Sequence, residues 1–99
     1  MNKKVKEVMD ALDKNAAEAE TENTMYVEKD GENVWRIVCN YERSNTILAY
    51  VKSEDKWYYQ RMYGDFSSDN LIRINGRLSQ PMKGGHSEAL GNANCWYTG

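Results

Sequence analysis

The period of the hydrophobic pattern changes once along this chain, and that change restricts the folds open to it. Over residues 3–20, Val5, Val8, Met9, Leu12, Ala16 and Ala19 recur at the i, i+3, i+4, i+7 spacing of one helical stripe. Lys3, Lys6, Asp10, Lys14 and Glu18 fall off the stripe and should face water. Asn2 stands where an N-cap belongs, and Asn23 where a left-handed turn would end the helix. From residue 24 the period is two. Strands are expected at 25–29, 33–42, 46–52, 56–63, 71–74 and 77–80, parted by turns such as Asp30-Gly31-Glu32-Asn33, Arg43-Ser44-Asn45 and Ser53-Glu54-Asp55. Connections this short favour antiparallel neighbours, and Asn75-Gly76 is the strongest two-residue hairpin signal present. Beyond Pro81 the pattern weakens, so residues 81–99 read as an irregular C-terminal segment with one helical turn at 87–90 stopped by Gly91.

The expected fold is therefore α+β. One amphipathic helix packs on a mainly antiparallel meander sheet of five to six strands, in a single domain over residues 1–99. That arrangement resembles a cystatin-like α+β roll, without the Gln-Val-Gly type loop of cystatin inhibitors. It does not match an RRM, which needs a second helix and a basic-Gly-aromatic strand motif.

Charge on the helix runs against its dipole. Lys3, Lys4 and Lys6 sit at the N-terminal end and Glu18, Glu20 and Glu22 at the C-terminal end. Each misplacement costs a few tenths of a kcal/mol, so the helix must gain its stability by docking. The acids, with Glu28, Asp30 and Glu32, read as a solvated face or as a surface kept for a basic partner. Over residues 1–55, eight Lys/Arg stand against twelve Asp/Glu; over 56–99, five stand against three. Bulk charge thus excludes a general polyanion binder, and leaves a nucleic-acid site only in the second half.

Seven Tyr and three Trp accompany a single Phe. Rings with polar tips suit half-buried sites and interfaces. Alternation puts Trp57, Tyr59, Arg61 and Tyr63 on one face of the fourth strand, either as a stacking and docking surface or as core under the helix. Trp35, Ile37, Cys39 and Tyr41 share a face of the second strand, with Arg36, Asn40 and Glu42 opposite. Since Tyr58, Gln60 and Met62 form a rival inner face, alternation alone does not fix which side is buried. Trp96 and Tyr97 either return to the sheet or meet a partner.

Catalytic and metal signatures are weak. Cys95, His86 and Asp65 or Asp69 match no cysteine-hydrolase spacing, and the bland reading is a free thiol beside an exposed histidine. Two Cys and one His do not make a zinc site. Asp65, Ser67 and Asp69 start like a calcium loop, but Asn70 and Gly76 occupy its Gly and Glu positions. Lys83-Gly84-Gly85 is not a phosphate loop. The expectation is a non-enzymatic binding protein without cofactor or metal, an inhibitor or adaptor acting through protein–protein contacts. Its partner-binding candidates are Trp57, Tyr59, Arg61, Tyr63, Glu18, Glu20, Glu22, Trp96 and Tyr97. The alternative is a single-stranded nucleic-acid or nucleotide-binding sheet. In size and style the chain resembles compact accessory proteins of phages and mobile elements, anti-defence inhibitors among them, although no motif carries that resemblance. The sequence leaves a homodimer open, and the expected partners exclude membrane, since no apolar run approaches the ~20 residues of a span. Met1 leads directly into charged residues without an apolar signal core, and Cys39 and Cys95 make no disulfide framework, so a reducing cytoplasm is expected.

Overall fold

The computed structural model describes residues 1–39, 45–60 and 71–98. Helix α1 (Lys3–Glu18) is followed by strands β1 (Met25–Asp30), β2 (Val34–Cys39), β3 (Asn45–Val51), β4 (Lys56–Gln60), β5 (Ile72–Ile74) and β6 (Arg77–Pro81), then helix α2 (Gly85–Cys95). The strands form one antiparallel sheet in the order β1-β2-β3-β4-β6-β5, curled into a half-barrel. The first four strands are the expected meander. The last hairpin is inverted relative to a simple continuation, with β6 on β4 and β5 at the edge.

The expected start of α1 holds: Asn2 Oδ1 accepts from Lys4 N at 2.9 Å and Val5 N at 3.4 Å. Its end comes earlier than Asn23. Thr21 N–H donates to Ala16 O at 2.9 Å and Glu20 N–H to Ala17 O at 3.1 Å, with Glu20 at φ 57°. These two bonds are the Schellman pattern, and they put a glutamate at the left-handed position that glycine usually holds. The Asn75-Gly76 hairpin forms as expected, with both residues at positive φ (54° and 77°).

Residues 81–99 are not irregular. α2 covers most of them and runs through Gly91, where no neighbour lies within 4 Å of an added Cβ. Its sequence is a poor helix former, rich in Gly and Asn. Packing supplies what propensity lacks: Ala89 and Ala93 are fully buried, and Asn15 Nδ2 of α1 donates to Ala93 O at 3.0 Å and Asn94 Oδ1 at 3.1 Å.

Both helices lie on one face of the sheet. Val5, Val8 and Leu12 of α1 and Ala89 and Ala93 of α2 pack on Met25, Trp35, Ile37, Leu48, Tyr50, Trp57 and Met82. The register runs this face across the strands, through Val27↔Ile37↔Leu48↔Tyr59 and Lys29↔Trp35↔Tyr50↔Trp57. The opposite face is not open at its centre. Ala49, Val51, Tyr58 and Ile74 form a second buried cluster there, with Val34 and Ile72 against it. The predicted strand ends at 40–42 and 61–63, with Asn40, Tyr41, Glu42 and Met62, lie outside the described residues. So do Asp65, Ser67, Asp69 and Asn70.

Candidate interaction surface

The aromatic row on the helix-covered face is continuous. Lys29 Nζ sits 4.9 Å from the Trp35 ring centroid. Trp35 and Tyr50 centroids are 6.3 Å apart, and Tyr50 and Trp57 5.1 Å apart, all tilted. Such pairs each add roughly 0.5–1.5 kcal/mol beyond simple burial. Trp57 is only 1% exposed, so the core reading of its ring is the correct one and a partner cannot stack on it. Tyr59, half-buried, packs against the same core. Arg61 and Tyr63 lie outside the described residues.

At its far end the row meets a polar cluster that the sequence did not disclose. Trp57 Nε1–H donates to His86 Nδ1 at 3.1 Å, and His86 Nε2 lies 2.7 Å from Glu7 Oε2. Beside it, Asp55 Oδ1 receives Tyr50 OH and Lys4 Nζ, each at 2.5 Å. The Lys4 and Tyr50 contacts hold the Asp55 carboxyl below the usual carboxylate range. Burial, and then the bond to Asp55, push the Tyr50 hydroxyl up to about 12. On the other face burial and the bond to Glu54 push Tyr58 likewise to about 12. His86 is therefore not the exposed histidine expected: both ring nitrogens are engaged, and neither is free to activate a Cys95 thiol. Cys39 and Cys95 are both free.

The remaining candidates converge. Tyr97 OH donates to Asn23 Oδ1 at 2.8 Å and accepts from Thr24 N–H at 2.9 Å. Asn23 in turn joins Asp13, Nδ2 to Oδ1 at 2.5 Å. These bonds, with the Asn15 contacts to α2, bring the C-terminal tail to the C-terminal end of α1. Tyr97 thus returns to the sheet, while Trp96 beside it stays 41% exposed. Cys95, Trp96, Tyr97 and Thr98 line a shallow open concavity.

The acidic residues differ in their pairing. Glu28 pairs with Arg36 at 2.6 Å, Asp30 lies at the edge of the same guanidinium's reach at 3.9 Å, and Glu32 is exposed and takes part in no ion pair among the described residues. Glu18, Glu20 and Glu22 are all exposed and take part in no ion pair among the described residues. They crowd the negative end of the α1 dipole. Among the described residues no group of three His, Cys, Asp or Glu side chains is arranged to hold a metal, and no helix is long and apolar enough to cross a membrane. No protein-family model, curated protein or solved structure matches this chain.

Proposed function

We propose that this chain is a non-catalytic binding protein that takes a basic segment of another protein at the junction of α1 and the C-terminal tail. Glu20 carries the reading. It occupies a left-handed backbone position that favours glycine, at the helix end that favours a cation, without an ion partner among the described residues. Two stabilising choices are forgone at one residue, which is what a site retained for recognition costs its fold. Glu18 and Glu22 extend the negative field, and Trp96 offers an exposed ring on which a guanidinium can stack. Occlusion of a basic surface by such a module would make it an inhibitor or adaptor, the kind of activity compact phage and mobile-element accessory proteins supply. Two free thiols accord with a reducing cytoplasm.

The test is a titration of the isotope-labelled chain, followed by amide and indole resonances, with an arginine-rich peptide in one arm and oligodeoxythymidine in the other. The proposal expects the peptide to move the Trp96 indole and the amides of residues 18–24 and 95–98, less so as salt rises. Sheet amides responding to the oligonucleotide, with Trp96 unmoved, would favour the nucleic-acid alternative instead.

A further inference from the structure

We infer that the Glu7–His86–Trp57 chain is a proton-operated latch, in which neutral His86 clamps α2 to the aromatic row and the imidazolium cannot. This goes beyond the binding reading and does not depend on it. His86 is the only histidine in the chain. Its Nδ1 accepts the indole N–H of Trp57, and the ring planes are inclined by 24° with centroids 6.0 Å apart. A 3.1 Å contact between edge nitrogens at that centroid spacing makes the rings edge to edge, an in-plane N–H···N bond. The neutral ring therefore carries its proton on Nε2 and donates it to Glu7 at 2.7 Å. A second proton can go only to Nδ1. There it turns the acceptor into a donor aimed at another donor, and Trp57, 1% exposed, has no solvent to turn to.

The surroundings set the direction. From α1, the Glu7 carboxylate lies 2.7 Å from Nε2 and can accept from that nitrogen in either charge state of the ring. From the β3–β4 turn comes Asp55, whose charge is shared with Lys4. From β3, Tyr50 presents a hydroxyl already bonded to Asp55, and from β4 comes the indole N–H itself. On α2, Glu88 lies over Gly84, where an added Cβ would come within 2.9 Å of the Glu88 Cβ. Glu7 thus retains the imidazolium while Trp57 loses its bond. Protonation moves the tie from the sheet to α1 alone, loosening the start of α2, which is otherwise anchored by Gly85 N–H to Met82 O at 3.2 Å.

The experiment follows the three indole N–H resonances and the His86 ring carbons of the full chain between about pH 8 and pH 5, the span in which histidine changes charge. The latch predicts that the Trp57 indole shifts with the same midpoint as His86, while Trp35 and Trp96 do not follow. His86→Gln should abolish the titration. Should that variant not fold, Glu7→Gln serves instead: it keeps the bond between His86 and Trp57, so the Trp57 indole and the His86 ring carbons must still move with one shared midpoint. A Trp57 resonance that ignores His86, a neutral ring protonated on Nδ1, or simultaneous loss of all three indole signals through global unfolding would each overturn the latch.

Discussion

Replacing Glu20 with glycine should stabilise this fold. Glu20 sits at φ 57° in the turn that closes α1. A left-handed conformation costs an L residue about 1–2 kcal/mol, which glycine avoids. Glycine returns roughly 0.5–1 kcal/mol of that by having more freedom to lose on folding. Removing a negative charge from a helix C-terminus adds back a few tenths. The net is a gain of about 1 kcal/mol, or a rise in Tm of about 4–8 °C for a domain of this size. Thermal and urea unfolding followed by circular dichroism measure it. Glu20→Ala separates the two causes, because it removes the charge and keeps the backbone strain; it should recover only the few tenths. A glycine variant no more stable than the alanine variant would refute the strain argument. With it would go the claim that stability has been forgone at this residue.

Tyr97→Phe should destabilise by about 1–2 kcal/mol, since it leaves the Asn23 and Thr24 partners without their bond; urea midpoints at unchanged slope would show it. Acid stability should depend on Asp55. Its folded pKa is lowered, so the contribution is whole above the ordinary value of 3.8 and is lost as pH falls through the folded value. Asp55→Asn should flatten that part of the stability profile. At the alkaline end Tyr50 and Tyr58 ionise at about 12 when folded, against an ordinary 10. Their contribution is complete below 10 and is lost as pH rises through 12, so tyrosinate absorbance should lag for these two rings until the chain unfolds.

How much was legible in the sequence follows from which forces are local. α1 and the six strands were readable because burial of one stripe or one face repeats every 3.6 or two residues. The Asn75-Gly76 hairpin was readable because positive φ at both residues selects those amino acids. α2 was not, since Gly85, Gly91 and two asparagines disfavour a helix; it exists because Ala89, Ala93 and Asn15 join it to a core assembled from distant segments. The burial of Trp57 was undecidable because β4 carries aromatics on both faces, and both faces are in fact buried. His86 gave no signal either: its partners Trp57 and Glu7 are 29 and 79 residues away. The acids of α1 were legible as an anomaly from the dipole alone. Only the folded arrangement pairs Glu28 with Arg36 while leaving the α1 acids without an ion pair among the described residues, and brings the Trp96 tail to the same end.

Comparative affinity capture tests the central reading most directly. The unmodified chain, Trp96→Ala, and the triple reversal Glu18→Lys, Glu20→Lys, Glu22→Lys are used as baits in one lysate and read by mass spectrometry, after circular dichroism has shown all three folded. The account predicts a basic protein held by the first bait, reduced by the second and absent from the third. The same partner recovered equally by all three would contradict it.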